Sequence, residues 1–191
     1  MEHILFDYLA GYIDLTEAEK QLIRELGLIK TYKKGTMLLA EGKRSRDSYF
    51  VLKGCLRCFY LIDGAEKTTE FYTELQGLTP LCVTSATPSE YYVSCLEDSV
   101  LLVSNPEMDQ VAFSRFPRFE MLCRVMTEQV AAKNQAAFNH FKTSSPEERY
   151  RHLLETRPDL CQRAPQHQLA SFLGITPVSL SRMRGRMRGR K

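Results

Sequence analysis

Residues 166–185, QHQLASFLGITPVSLSRMRG, carry the pattern that decides the fold of the C-terminal part of the chain. Ala170 is small enough for the point where two helices cross closely, and Gly174 can adopt the positive φ of the tight turn that follows. Thr176 can cap a second helix, and Pro177 suits the first position of that helix. The apolar residues spaced to bury the corner are Leu169, Leu173, Ile175, Leu180 and Met183. The stretch therefore predicts a helix-turn-helix.

The second helix of this motif and the basic residues after it are the candidate DNA-binding segment. A helix-turn-helix that binds DNA places the start of its second helix in the major groove, where side chains meet base edges. Residues 182–191 contain six basic and no acidic side chains, whereas the other 181 residues carry 20 basic and 23 acidic ones. A basic end on an acidic body favours a polyanionic partner, here double-stranded DNA. The predicted DNA-binding residues are Thr176, Pro177, Val178, Ser179, Ser181, Arg182, Arg184 and Arg186. The alternative is an ordinary helical hairpin with a solvated, charged end.

The first half of the chain predicts one helix followed by short strands. The helix covers Leu15–Leu28, with Thr16 as its N-cap and Gly27 at its end. The β-rich runs, separated by turn residues, are Thr36–Leu39, Ser48–Leu52, Cys55–Ile62, Thr68–Tyr72, Tyr91–Cys95 and Val100–Val103. Short strands at regular spacing are typical of a sandwich or barrel.

The chain after these strands changes to helical spacing. A short helix is predicted over residues 106–114, and a long helix from Pro117 to about Phe141. The apolar stripe of the long helix consists of Phe119, Leu122, Met126, Val130, Ala137 and Phe141, with Met121, Val125, Ala132 and Ala136 beside it. A face this broad predicts that one stripe packs on the chain's own strands and the other on a second copy of the helix. We therefore expect a homodimer.

A break at residues 143–146 separates the long helix from the helix-turn-helix region. Ser145 is a candidate N-cap for the next helix, Pro146 takes its first position, and Glu148 completes a capping box.

This order of elements resembles the Crp/Fnr family of bacterial transcription regulators. The resemblance rests on Lys34-Gly35-Thr36, on the stretch SYFVLKG at 48–54, on the long helix and on the helix-turn-helix. It implies an α+β fold with an N-terminal β-roll (a double-stranded β-helix of the cyclic-nucleotide-binding type), a dimerisation helix and a C-terminal helix-turn-helix domain. The expected domains are 1–116 for the β-roll sensor, 117–142 for the dimerisation helix and 143–191 for the DNA-binding domain with its basic tail. The resemblance also implies a cytoplasmic regulator that binds DNA as a homodimer.

The segment that would bind a nucleotide departs from the family pattern. Nucleotide-binding members have a Gly-Glu-(Leu/Ile) step, whose backbone N–H groups contact the cyclic phosphate, and an arginine that pairs with the phosphate charge. The corresponding stretches here are Leu78-Thr79-Pro80-Leu81 and Pro88-Ser89-Glu90-Tyr91. Pro80 has no N–H, and the carboxylate of Glu90 would repel a phosphate. We therefore do not expect the chain to bind cyclic AMP.

A different small-molecule effector is compatible with the β-roll, although the sequence does not identify one. The residues that would line its pocket are Phe71, Thr79, Leu81, Ser89, Glu90 and Tyr91. Core packing is the alternative for the aromatic residues, because aromatic side chains dominate the interiors of β-sandwiches.

The C-terminus also departs from the family, whose members usually continue into a β-hairpin wing. Here Arg182-Met183-Arg184-Gly185 is followed by its repeat at 186–189 and by Arg190-Lys191. Each glycine costs about 1 kcal/mol of helix stability relative to alanine. We therefore expect a fraying basic arm rather than a helix that stays rigid to the last residue.

Other classes of function lack a pattern in this sequence. Cys55 and Cys58 form a C-x-x-C pair, but in a strand they point to opposite faces, and the other cysteines are too scattered for a metal site. No cofactor, metal or catalytic residue is therefore predicted, and the chain is not expected to be an enzyme. No apolar run approaches the roughly 18 residues of a membrane span, so a membrane partner is not expected either.

The rival hypothesis is a degenerate nucleotide-binding fold that acts as a protein-interaction or RNA-binding module. In that case the basic tail would contact RNA, acidic proteins or a membrane surface, without sequence-specific DNA binding.

Overall fold

The structure is a computed structural model, and it describes residues 1–85 and 87–188. Contacts divide the chain into two compact units. The first consists of Met1–Arg57 and Phe71–Ala132, and the second of Cys58–Glu70 and Lys133–Lys191. The expected domain boundaries after residues 116 and 142 concern functional segments and stay predictions.

Two helices precede the strands, and the sequence predicts only the second. Helix α1 covers Glu2–Ala10, and helix α2 covers Glu17–Glu25. The N–H of Glu19 donates to Thr16 Oγ1 (3.4 Å), while the N–H of Thr16 donates to the Glu19 carboxylate (2.8 Å). Gly27 follows α2 with a φ of +60°. The predicted cap and end of α2 are therefore confirmed.

The strands form two four-stranded sheets in the described part of the chain. Their bounds are β1 Ile29–Tyr32, β2 Met37–Leu39, β3 Ser48–Lys53, β4 Leu56–Ile62, β5 Ala65–Tyr72, β6 Gly77–Leu78, β7 Tyr92–Cys95 and β8 Ser99–Ser104. A short helix, α3 at Leu81–Ser85, lies between β6 and β7. The strand orders are β1-β8-β3-β6 and β2-β7-β4-β5. The predicted β-roll is confirmed.

Strand β8 shows how the sequence sets the faces of the first sheet. Ser99, Leu101 and Val103 are buried and alternate with half-buried residues, as expected for a strand with one face in the core. Val103 lies opposite Tyr49 of β3, and Tyr49 also lies opposite Leu78 of β6. Tyr49 is therefore a central residue of this sheet, and burial raises the pKa of its phenol to about 12.

The described residues after β8 are mainly helical. The helices are α4 Pro106–Arg115, α5 Arg118–Thr143, α6 Pro146–Thr156, α7 Leu160–Arg163, α8 Gln166–Phe172 and α9 Pro177–Arg188. At the start of α6 the N–H of Glu148 donates to Ser145 Oγ (3.4 Å) and the N–H of Ser145 to the Glu148 carboxylate (2.8 Å), which confirms the predicted capping box. Among the described residues, no helix combines the length and the hydrophobicity that a membrane crossing requires.

The two ends of α5 differ in exposure. Near its start, Phe119 is buried, and Leu122 and Met126 pack against a core that contains Leu5 and Leu9 of α1. The large apolar side chains of α5 that are exposed are Met121, Val130, Phe138 and Phe141. The predicted stripe is thus covered at its beginning and uncovered towards its end.

The expectation that the helix does not stay rigid to the last residue stays a prediction. Helix α9 continues through Gly185 to Arg188. Met183 is buried, and Arg184 donates a hydrogen bond to Tyr150, so tertiary contacts of α9 outweigh the weak helix propensity of glycine. The rest of the predicted arm, residues 189–191, lies outside the described residues.

Candidate nucleic-acid interface

The turn between α8 and α9 requires a glycine for two reasons. Gly174 has a φ of +69°, a conformation that other residues adopt only with strain. A Cβ at this position would also lie 3.2 Å from Phe141 Cζ and 3.4 Å from Arg149 Nη1. The N–H of Gly174 donates to Ser171 O (2.9 Å) and the N–H of Ile175 to Ala170 O (2.9 Å), which closes the end of α8.

The corner between the two helices is packed by the residues that the sequence indicates. Those that are buried are Leu169, Ala170, Leu173, Leu180 and Met183, while Ile175 is half-buried. Ala170 is completely buried, which explains the need for a small residue where the helices approach each other. The helix-turn-helix fold is confirmed.

The start of α9 is held by two of the predicted DNA-binding residues. The N–H of Ser179 donates to Thr176 Oγ1 (3.1 Å), and the hydroxyl of Thr176 donates to Ser179 Oγ (2.9 Å). Gln166 Nε2 of α8 donates to the carbonyl of Pro177 (3.3 Å). Thr176 and Ser179 therefore fix the helix terminus, although both remain exposed.

One face of α9 is open to solvent and contains most of the other predicted residues. Its exposed members are Val178, Ser181, Arg182, Gly185 and Arg186. Their spacing of three and four residues places them on one side of the helix, opposite the buried Leu180 and Met183. We call these five residues the outward face of α9.

The arginines of α9 do not share one environment. Arg184 is half-buried: its Nε donates to Tyr150 Oη (3.0 Å), and its guanidinium lies 5.7 Å from the centre of the Tyr150 ring. Arg186 is exposed and lies 3.9 Å from a carboxylate oxygen of Glu147, a distance at which an exposed ion pair contributes little. The side chain of Arg184 is thus directed to α6, whereas Arg182 and Arg186 are available on the surface.

Two contacts connect these helices to the hairpin formed by β4 and β5. The N–H of Thr68 donates to Ser171 Oγ of α8 (2.8 Å), and Arg157 pairs with Glu70 (3.0 Å) after the end of α6. All four residues belong to the second unit. The hairpin therefore supports the helix-turn-helix within this unit.

The six residues predicted for an effector pocket are only partly brought together. Ser89 is buried, and its hydroxyl donates to Tyr91 O (2.8 Å). The hydroxyl of Tyr91 accepts the N–H of Leu81 (3.1 Å) at the start of α3. Phe71 lies in the core, Glu90 is exposed to solvent, and the hydroxyl of Thr79 donates to Ser48 Oγ of β3 (3.1 Å). Only Ser89, Tyr91 and Leu81 are connected by these hydrogen bonds.

Comparison with known proteins assigns the strand-rich segment. Residues 29–111 match the family described as the cyclic nucleotide-binding domain. This segment is therefore similar to cyclic nucleotide-binding domains.

Solved structures extend the likeness beyond residues 29–111 to most of the chain. FixK2 from Bradyrhizobium japonicum is 16% identical with a TM-score of 0.68, over 85% of this chain and 84% of that one. The c-di-GMP-responsive regulator CLP from Xanthomonas campestris is 14% identical with a TM-score of 0.67, over 91% and 92%. The catabolite activator protein of Thermus thermophilus is 18% identical with a TM-score of 0.53, over 94% and 86%.

These similarities establish the fold. A segment similar to cyclic nucleotide-binding domains, a long helix and a C-terminal helix-turn-helix follow one another, which agrees with the fold expected from the sequence. No curated protein matches the sequence at a significant level.

A groove that the sequence does not indicate lies between α4 and the start of α5. It has a volume of about 610 Å³, and its lining includes Asp109, Phe113, Pro117 and Glu120. Burial raises the pKa of the Asp109 carboxyl above its usual range. The sequence predicts a helix over residues 106–114 but does not indicate that Asp109 is partly buried. None of the six predicted pocket residues is part of this lining.

Proposed function

We propose that this chain is a DNA-binding transcription regulator of the Crp/Fnr type, acting in the cytoplasm as a homodimer. The observation that carries the proposal is the outward face of α9, which presents Val178, Ser181 and Arg182 at the start of the second helix of the helix-turn-helix. That is the part of such a motif that contacts base edges in the major groove.

The charge of this region supports a nucleic-acid partner. Arg182 and Arg186 are exposed on the outward face, and neither has a close, buried carboxylate partner among the described residues. Guanidinium groups bind guanine through O6 and N7 and bind phosphates through paired hydrogen bonds. We propose that Arg182 contacts bases and that Arg186 contacts the phosphate backbone. Arg184 is left out of the base-contacting set because its guanidinium is engaged by Tyr150.

The exposed end of α5 supports the homodimer. Val130 is 40% exposed and Phe138 is 54% exposed in a single chain, and both lie beyond the part of α5 that packs on the core of the first unit. A helix with an uncovered apolar side is stabilised by pairing with a second copy. Two copies of α9 would then enter successive major grooves about 34 Å apart.

The cassette region supports an effector other than cyclic AMP, or a purely structural role for the β-roll. Pro80 supplies no N–H, and the N–H of Leu81 already donates to the hydroxyl of Tyr91. Glu90 adds an exposed carboxylate to the stretch that corresponds to the arginine-bearing part of the family's phosphate-binding segment. The backbone donors and the positive charge that a cyclic phosphate requires are therefore replaced by a proline, a satisfied N–H and a negative charge.

Selection of bound sequences from a random pool of DNA duplexes tests the proposal. The full chain is expected to enrich a palindromic site, because two identical recognition helices contact two equivalent half-sites. Arg182→Ala should reduce this enrichment, whereas Arg44→Ala, which removes an exposed arginine outside α9, should not. A pool that stays random after repeated rounds, at a salt concentration where the chain still binds DNA, would contradict sequence-specific recognition.

A further inference from the structure

We infer that Val178 recognises the C5-methyl group of a thymine, about two base-pair steps from the guanine contacted by Arg182. The inference rests on the proposed function and assigns base preference to its recognition helix.

Val178 is an exposed apolar residue of α9 whose position packing within the described residues does not explain. Its side chain is 58% exposed in the first turn of α9, whereas the other apolar residues of this turn and the next, Leu180 and Met183, are buried. Exposed valines are common on protein surfaces, so exposure alone does not indicate a contact. The position of Val178 on the outward face, one turn before Arg182, is what indicates one.

The residues beside Val178 have short side chains, which allows α9 to approach the base edges closely. Ser181 and Gly185 lie on the same face at steps of three and four residues. A Cβ at Gly185 would meet nothing within 4 Å, so packing against the described residues does not require a glycine there. Glycine weakens a helix relative to alanine, yet this one lies in the interior of α9. A stripe of short side chains is suited to a helix that lies deep in a groove.

The chemistry of the major groove then selects the base. The thymine C5-methyl is the apolar group on that surface, while the other base edges present hydrogen-bond donors and acceptors. The two methyl groups of Val178 can cover the thymine methyl, but they would leave the N4 amino group of a cytosine without a hydrogen-bond acceptor. Thymine is therefore the base that Val178 favours.

The spacing of the two contacts follows from helix geometry. Four residues separate Val178 from Arg182, which corresponds to about 6 Å along the helix axis. Base pairs are stacked about 3.4 Å apart, so the two side chains reach bases about two steps apart.

The test uses the full chain and the duplex that it selects. Each thymine of a half-site is replaced in turn by deoxyuridine, which removes one methyl group and leaves the hydrogen-bonding edge unchanged. Binding is measured for the unaltered protein and for Val178→Ser, which removes both side-chain methyl groups. Val111→Ser is the matched control, because Val111 is 45% exposed on another helix, α4.

One thymine is expected to respond to Val178. Its replacement should weaken binding by about fourfold per half-site, the effect of uncovering one methyl group, both for the unaltered protein and for the control Val111→Ser. The same replacement should have less than about a twofold effect on Val178→Ser, since serine has no methyl group to cover that of the thymine. Val178→Thr retains one methyl group and should keep part of the sensitivity.

Two results would overturn the inference while leaving the proposed function intact. One is a deoxyuridine penalty that is the same for the unaltered protein and for Val178→Ser at every thymine. The other is a selected half-site that has no thymine near the guanine whose preference disappears in Arg182→Ala. The absence of any preferred duplex would instead refute the proposed function, and with it the assignment of Val178.

Discussion

Two glycine-to-alanine substitutions in the helix-turn-helix are expected to change its stability in opposite directions. At Gly174 the φ of +69° costs an L-residue about 1–2 kcal/mol. The added Cβ would also lie 3.2 Å from Phe141 Cζ, so the phenyl ring would have to move. At Gly185 the backbone is helical and a Cβ meets nothing within 4 Å, so alanine should stabilise α9 by up to about 1 kcal/mol. Both variants lower the entropy of the unfolded chain equally, which makes the comparison one of folded states.

Urea unfolding followed by circular dichroism measures both effects. Gly174→Ala should lower the midpoint of the transition that includes the helix-turn-helix, and Gly185→Ala should raise it, with the dependence on urea unchanged in both. The free energies of unfolding of the two variants should therefore differ by about 1–3 kcal/mol. Equal midpoints for the two variants would refute the assignment of a strained turn at Gly174 and of an open helical site at Gly185.

Four further outcomes are expected. Val130→Glu places a charge on the exposed end of α5 and should convert a dimer into a monomer at micromolar concentration in sedimentation; an unaltered protein that is already monomeric would contradict the homodimer. Titration calorimetry with millimolar cyclic AMP should give no saturable heat, and a micromolar dissociation constant would contradict the account of the cassette. Arg182→Ala should cost about 1–3 kcal/mol of binding free energy on the preferred duplex and little on a scrambled one. Removing residues 186–191 should weaken binding to both duplexes and reduce the slope of log affinity against log salt concentration by about 0.9 for each phosphate that is no longer bound. Equal effects of Arg182→Ala on both duplexes would contradict base contact by Arg182. Hydrogen bonds from Ser145 lower the pKa of Glu148, so the stability that they contribute is present above the ordinary glutamate pKa and is lost as the pH falls through the lowered pKa. Ser145→Ala should therefore lower Tm at neutral pH and reduce the fall of Tm on acidification. An unchanged dependence of Tm on acidic pH would contradict the capping box.

Elements that depend on neighbouring residues in the chain were predictable from the sequence. The turn at Gly174, the cap at Thr176 and the capping box of Ser145 and Glu148 each depend on residues within a few positions of one another. Residue type and local spacing determine these features, and the structure therefore agrees with the predictions in detail.

Elements that depend on partners distant in the chain were not predictable in this way. Strand β6 has only two residues and exists because Gly77 and Leu78 pair with β3. Helix α1 has no side-chain hydrogen bond at its N-cap, and Leu5 and Leu9 are buried by residues far along the chain. The spacing of apolar residues and the presence of capping residues give little information on whether such segments form a strand or a helix.

The residues of the candidate site also fall into those that local spacing predicts and those whose environment depends on a distant partner. The sequence placed Val178, Ser181 and Arg182 correctly on the surface of the second helix, because the buried positions of a helix-turn-helix follow a fixed spacing. It grouped Arg184 with them, although that side chain is half-buried against Tyr150 of α6. The spacing within α9 does not reveal a tyrosine on another helix.

The contact between Arg184 and Tyr150 has a consequence for how sequence preference could change in evolution. It anchors α9 to α6 on the side away from the outward face, and so it fixes the angle of the helix about its own axis. Side chains extend about 5–6 Å from a helix axis, so a rotation of about 20° would shift the tip of each by about 2 Å, more than half a base-pair step. Replacement of either partner would thus alter which bases are favoured without changing any residue that touches them. The set of DNA sites that this helix-turn-helix prefers can therefore change through substitutions at residues that do not contact DNA.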